Sequence, residues 1–358
     1  MKKKTLSLLL CLAFLLALLP ATARADGACG DDLAWTFNDA TGKLTITGSG
    51  AMDDWSWSDT PWEAHMSHIT SVELPVGLTT IGGRAFCGTK ITGIEIPGTV
   101  TAITGSYAFS GCTGLTHIAF PSSLTSIGDN AFSDCTGLTS LTIPGNVTEV
   151  KGDAFSGCSG ITQLTLKKGI EKLENYAFRN CTGLTTLTIP DGVKTIGLGA
   201  FMGCANLTSV TMPCDTWLYN APTYPVFEDC PAISTVRLTP GDPDNQGVMR
   251  QTNMYDIWRT TEVDVSVTLD EGVQAINHRS FRDAVRLKSI KLPNSLLVIG
   301  NGAFMGCTGL TAIDVPNSVE IIGEEAFSGC TGLTSFVWPE PADTKKMAKV
   351  GQIGRAHV

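Results

Sequence analysis

Phenylalanine returns in this chain at positions 86, 109, 132, 155, 178 and 201, each 23 residues after the last. After a break the beat reappears at Phe281, Phe304 and Phe327, and Phe227 keeps it with a delay of three residues. So short a unit cannot bury its own apolar side chains and must stack on its neighbours, which restricts the chain to a repeat architecture. Within one unit, Leu141 and Ile143 alternate around Thr142 as a short strand with one inward face. Pro144 closes that strand, because proline cannot donate to a continuing ladder. Val147 and Val150 are spaced for a second extended or tight-turn segment, and a glycine such as Gly128 permits the corner that follows.

Twelve strand signatures begin near Ile69, Ile91, Leu115, Leu138, Ile161, Leu184, Leu207, Ile233, Val263, Leu287, Leu310 and Leu333. The expected fold is a repeat solenoid of about twelve 23-residue coils. A parallel β-sheet forms one face, and short strands, turns or 3₁₀ segments form the other. Strands about 4.8 Å apart give a body on the order of 55 Å long. The 54 residues from Phe227 to Phe281 leave room for one degenerate coil near Met254 and Tyr255.

Cys112, Cys135, Cys158, Cys181, Cys204, Cys230, Cys307 and Cys330 each follow a repeat phenylalanine by three residues, and Ala284 fills that slot in the Phe281 coil. The spacing predicts one stacked column of buried packing thiols. Stacked side chains point the same way instead of toward each other, which is wrong for disulfides. Cys29, Cys87 and Cys214 stand off the column, and Cys214 with Cys230 is the first pair to test for a bridge.

The start, MKKKTLSLLLCLAFLLALLPATARA, has a lysine run, an apolar stretch and an A-x-A site, so residues 1–25 read as a secretory signal peptide cleaved after Ala25. Its removal takes four basic residues and moves the formal charge from −9 to −13. An acidic chain of this kind is unsuited to nucleic acid or to anionic lipid. No later segment is long and apolar enough to span a bilayer. Charged residues make up only 16%, against about 25% in ordinary domains, and abundant threonine and glycine suggest a surface of small hydroxyl side chains.

The pattern LTxLxIPxxVTxIGxxAFxxC, carried from about residue 66 to 339, resembles the leucine-rich repeats of BspA-like surface proteins of the Treponema pallidum type. The preceding CGDDLAWTFNDATGKLTITGSGAMDDWSWSDTPW is similar to the segment that precedes such arrays. Alternation in LAWTF and LTITG around NDATGK predicts a β-hairpin cap for the first coil. The expected organisation is a cap at 26–65, regular repeats at 66–212, irregular repeats with insertions at 213–262, regular repeats at 263–339 and a disordered or artefactual tail at 340–358. The tail reading rests on QIGRAHV, which fits no repeat and back-translates to a sequence resembling a sequencing adapter. It implies that the chain is cut short.

The resemblance implies a secreted or cell-surface bacterial protein, non-enzymatic, used for adhesion or protein binding. The implied partner is a protein, either a host matrix component or another surface protein. The alternative is a carbohydrate-binding or spacer module of a larger surface protein or enzyme truncated at its C-terminus, with a glycan as ligand. No HExxH, GxSxG, Walker-type or paired CxxC motif occurs, and no catalytic residue, cofactor or metal is expected. His65 and His68 lack the carboxylates or thiols that would complete a metal site, GLGAFMG at 197–203 is the repeat corner, and GDPDNQG at 241–247 reads as a solvated turn.

Recognition is placed on the irregular insert with Trp217, Tyr219, Tyr224, Tyr255 and Trp258, and on the charged later coils with Arg237, Lys288 and Lys291. The alternative cluster, Trp55, Trp57 and Trp62, would either stack on sugars or pack the cap onto the first coil. The threonine-rich sheet positions between these regions are soluble and name no ligand.

Overall fold

The structure is a computed structural model and describes residues 24–219, 224–245, 247–249, 257 and 261–337. The first 23 residues of the expected signal peptide, Tyr255, Trp258, the degenerate coil at Met254 and Tyr255, and the tail from 338 lie outside the described residues.

The cap is an antiparallel meander of β1 (Arg24–Gly30), β2 (Leu33–Asn38) and β3 (Lys43–Ala51). The β2–β3 turn closes on Asn38, whose side chain accepts from Ala40 N at 3.0 Å and whose carbonyl accepts from Gly42 N at 2.8 Å. The expected hairpin is therefore present, extended by one strand. Its last strand launches both limbs of the first coil. Residues Lys43, Leu44 and Thr45 pair in parallel with β4 (Ser71–Glu73), while Ser49, Gly50 and Ala51 pair with β5 (Gly77–Ile81).

From there the chain winds a parallel β-solenoid of about eleven turns with almost no helix. The twelfth strand signature is present as Ser335–Val337, but no second limb of its coil falls within the described residues. Both faces carry strands, and the unbroken ladder is not the one the sequence suggests. Two-residue strands at Ala102–Ile103, Ser126–Ile127, Glu149–Val150, Lys172–Leu173, Thr195–Ile196 and Trp217–Leu218 continue β5 without a gap. The prominent LTxLxI limb is instead divided. Ser140–Ile143 pairs with Gln163–Leu166; five strands from Thr186–Thr188 to Leu287–Lys291 form a second piece; Ala312–Asp314 pairs with Ser335–Val337. Proline after most of these limbs, as at Pro144, Pro190 and Pro293, removes a backbone donor and limits how far the ladder can run, while Lys167 and Asp270 stand in that place after Gln163–Leu166 and Val265–Leu269.

The interior is a set of columns. The repeat phenylalanines are buried and stack coil on coil, with ring centroids 4.9 Å apart for Phe109 and Phe132 and 5.3 Å for Phe132 and Phe155, planes within 4° in both pairs. The stack runs to Phe227 and resumes from Phe281 to Phe327. Buried Met249 and Ile257 carry the core across the break. The thiols are buried as expected, yet they do more than fill space. Each of the eight donates to the carbonyl of the repeat phenylalanine one coil earlier, as Cys158 Sγ does to Phe132 O at 3.1 Å and Cys307 Sγ to Phe281 O at 3.0 Å. In the first coil Thr89 takes the slot, and its hydroxyl donates to Phe86 O at 2.9 Å.

The anticipated Cys214–Cys230 bridge does not form. Their sulfurs face different carbonyls, Pro240 O for Cys214 and Phe201 O for Cys230. Burial, reinforced by Asp215, pushes the Cys214 thiol up to about 12, so it is an unreactive group.

Corners where coils nearly touch demand glycine. A Cβ on Gly128 would lie 2.0 Å from the Gly105 carbonyl oxygen. The corner before most of the phenylalanines also holds a left-handed residue, as at Asn130 (φ 54°), Asp153 (φ 51°) and Gly199 (φ 56°), whereas Pro225 precedes Phe227. Asn, Asp and Gly take this conformation at little cost.

Candidate interaction surfaces

Four surfaces follow from this stacking. The first is the divided sheet. Its outward threonines are less free than their exposure suggests, because Thr116, Thr139, Thr162 and Thr208 each donate to a carbonyl of the preceding coil, at 3.0–3.5 Å. Along the five-stranded piece the outward positions change from Thr186, Thr188, Ser209 and Thr211 to Arg237, Lys288 and Lys291. Arg237 is committed to Asp270, its Nε lying 2.8 and 2.9 Å from the two carboxylate oxygens, and this pair holds the arginine above its ordinary value. Where the sheet breaks after Leu287–Lys291, a cleft of about 530 Å³ opens, lined by Lys291, Asn294, Asp314 and Asn317 over Ile290 and Val315. A cleft of about 450 Å³ marks the corresponding break near the cap, lined by Lys43, Glu73, Glu95 and His117.

The second surface is the continuous ladder. Its outward positions are charged in mid-array, where Lys172 bridges Glu149 at 3.1 Å and Glu174 at 2.5 Å, and Lys151 pairs with Glu149. Hydrogen bonding with Glu174, followed by Lys151 and Lys172, holds the Glu149 carboxyl down at about 2. The ladder ends at Trp217–Leu218, where Trp217 is exposed, and a separate three-stranded sheet of Ala275–Ile276, Val298–Ile299 and Ile321–Ile322 takes up this face further along, with Ile321 exposed and Val298 half-buried. Trp217 and Tyr219 thus stand on the ladder opposite to Arg237, Lys288 and Lys291, so the candidates chosen from the sequence do not form one patch.

The third surface is the corner edge beside the phenylalanine stack. Here bulky residues occupy the left-handed position: Arg84 (φ 60°), Tyr107 (φ 65°) and Tyr176 (φ 59°). Such residues pay roughly 1–2 kcal/mol for this backbone. Tyr224 belongs to this edge, its ring 5.9 Å from Tyr176 in an edge-on contact, with the Arg179 guanidinium 5.3 Å over the Tyr176 ring. Burial raises the Tyr176 phenol, and Tyr224 adds to it. The second cluster joins Trp57 and Tyr107, ring centroids 6.1 Å apart, around the Arg84 guanidinium, which lies 3.2 Å from the Trp57 ring centroid. Arg84, Tyr107, Tyr176 and Arg179 were not anticipated. The signal was available as the one repeat position, two residues before the phenylalanine, where large side chains replace Asn, Asp or Gly.

The tryptophan trio divides. Trp62 is fully buried, donates from Nε1 to Ala85 O at 2.7 Å and stacks on Phe86 at 6.2 Å, so it is the first member of the aromatic column. Trp55 packs edge-on against it at 5.1 Å. Trp57 alone faces solvent, at 72% exposure. His65, on the 3₁₀ segment Glu63–His68, packs on Phe37 at 4.5 Å and approaches Asp39 at 3.7 Å.

The fourth surface is the insert. The 241–247 loop is organised by a buried carboxylate and not by solvent: Asp215 Oδ2 accepts from Asp242 N at 3.1 Å and Asn245 Nδ2 at 2.6 Å. Among the described residues no group of three or more His, Cys, Asp or Glu side chains is placed to hold a metal ion. Among them, too, no helix is long and apolar enough to cross a membrane.

Comparison with known proteins adds to this geometry. The family model described as BspA type leucine rich repeat region matches in six copies, over residues 64–162, 103–234 and 261–348. Among solved structures, the chain is similar to a leucine-rich repeat protein from Bacteroides ovatus, with 21% identity over 87% of this chain and 88% of that one at a TM-score of 0.47. A leucine rich cell surface protein from Faecalibacterium prausnitzii shares 21% identity over 92% of this chain and 98% of that one, at a TM-score of 0.44. The leucine rich repeat protein of T. pallidum shares 16% over 89% and 95%, at 0.31. No curated protein matches the chain.

Proposed function

The chain belongs to the BspA type leucine rich repeat family, and from that premise we propose that it is a secreted or cell-surface binding protein without catalytic activity, whose ligand is another protein. The observation that carries this reading is the change along the five-stranded sheet from the outward hydroxyls of Thr186, Thr188, Ser209 and Thr211 to Lys288 and Lys291, beside the cleft that Lys291 lines with Asp314. Solvated lysines on a rigid sheet next to a partly apolar cleft supply a charged rim and a recess, the arrangement of an ordinary protein interface. Trp217, Tyr219 and Tyr224 would serve a second, separate contact. The leader-like residues 1–25 support export, and the organisation into cap, two regular arrays and an irregular middle is proposed with the boundaries given above.

The test is capture of immobilised matrix and surface proteins by the purified chain and by a Lys288→Glu, Lys291→Glu double variant. Retention of a ligand by the native chain and its loss from the double variant, with unchanged folding, supports the sheet as the docking face. Equal retention by both would move the contact elsewhere. The glycan alternative narrows to Trp57, since Trp62 is interior.

A further inference from the structure

Arg84 is the most unusual charged group among the described residues. It is only 7% exposed, yet it makes no ion pair there. Its Nη1 is buried with no hydrogen-bond partner, and its Nη2 reaches only the Cys87 sulfur at 3.9 Å. The carboxylates nearby are otherwise placed. Asp54 Oδ1 accepts from Gly83 N at 2.7 Å and Thr104 Oγ1 at 3.1 Å, while Glu63 is exposed and acts on Cys87. A buried guanidinium without an anion is costly, and aromatic faces repay only part of that cost.

The cover over this cation is Trp57, an exposed indole next to Ser58, itself left-handed at φ 68°. Tyr107 flanks it, its ring centroid 5.8 Å from the guanidinium carbon and 6.1 Å from the Trp57 ring. Rotation of the indole would open the guanidinium to a ligand beside the Tyr107 ring. Ser106 lies beside Arg84, its carbonyl accepting from Arg84 N at 3.0 Å, and its small hydroxyl suits a hydroxyl-rich ring better than an apolar peptide side chain.

We propose that Trp57, Arg84 and Tyr107 form a recognition site for a carboxylate-bearing sugar ring of the uronic acid class. Arg84 receives the carboxylate in the forked geometry that guanidinium provides. Trp57 and Tyr107 carry the C–H faces of the ring. The site lies at the junction of the cap with the first two coils and does not depend on the protein-binding reading of the later coils.

The test is an NMR titration of the whole ¹⁵N-labelled chain with methyl β-glucuronide, methyl β-glucoside and N-acetylglutamate amide, following the Trp57 indole N–H in the native chain and the Tyr107 backbone amide in the native chain and every variant. The expected result is a saturable shift with the glucuronide and affinity at least ~10-fold weaker for the glucoside. Binding should be lost in Arg84→Gln and weakened ~10-fold in Trp57→Ala. Absence of a saturable shift, an equal response to the glucoside, or an equal or stronger response to the glutamate derivative would each overturn the proposal. Should Arg84→Gln fail to fold, the exposed Trp57→Ala variant decides: unchanged glucuronide affinity in it refutes the site.

Discussion

The coils from Phe86 to Phe201 and the stretch from Cys214 to Thr261 meet the same demand, covering one coil's carbonyls with the next coil's donors, by different chemistry. In the regular coils a thiol donates to the phenylalanine carbonyl, and the same contact recurs for Cys112, Cys135, Cys158, Cys181 and Cys204. The insert keeps the thiol contact at Cys230, whose Sγ donates to Phe201 O at 3.2 Å, and adds contacts of its own. Thr216 Oγ1 donates to Val193 O at 2.9 Å, Thr261 Oγ1 to Ile233 O at 2.8 Å, and Asp215 gathers the 241–247 loop. A repeated contact tolerates little variation, because each coil is both floor and ceiling to a neighbour. A contact made once can carry an insertion, and there exposed aromatic residues such as Trp217 and Tyr219 accumulate.

The sharpest way to break this contrast is substitution in each region. Phe155→Ala, in the middle of the stack, is expected to cost roughly 3–5 kcal/mol, whereas Tyr219→Ala should stay within about 0.5 kcal/mol. Urea unfolding of both variants checks the pair, and comparable losses would erase the distinction. Next in size is Asp215→Ala, expected to cost roughly 1–3 kcal/mol by removing the charged acceptor that holds Asp242 N and Asn245 Nδ2. Hydrogen exchange should show lost protection around Asp242 with the coils from Phe86 to Phe201 unchanged; loosening throughout the array would mean that the insert is no separate unit.

The solenoid, its parallel strands, the cap hairpin and the thiol column were legible because each follows from spacing: a period of 23 puts Phe132 on Phe155 whatever lies between. What the thiols do was not legible, since packing and donation predict the same buried position. Cys158→Ser against Cys158→Ala separates the two roles. A donating role predicts that Ala costs about 0.5–1.5 kcal/mol and that Ser costs less; the reverse order would return the thiols to plain filler. The unbroken ladder was missed because Glu149–Val150 and its equivalents are strands of two residues, too short for any alternation to show. The corner clusters were missed because Arg84 and Tyr107 read as isolated surface residues until the coils are stacked.

The smallest expected effect concerns the charged part of the continuous ladder. Glu149 is held down at about 2 in the folded chain, from an ordinary 4.5, by Glu174, Lys151 and Lys172. A depressed carboxyl stabilises the fold above its ordinary value, and that contribution is lost as pH falls from about 4.5 toward about 2. Melting temperatures across that window should fall slightly less for Lys172→Met than for the native chain. Because these side chains are partly exposed, the difference should shrink in salt. A salt-independent difference would place the interaction in the interior.

Thiol titration under native conditions tests the stacked interior most directly. Eleven cysteines lie among the described residues, and of these only Cys87 is not buried. A stacked solenoid predicts that an aromatic disulfide reagent modifies that one sulfur quickly and the other ten only after unfolding. Rapid modification of several column thiols, or their recovery as disulfides, would contradict it.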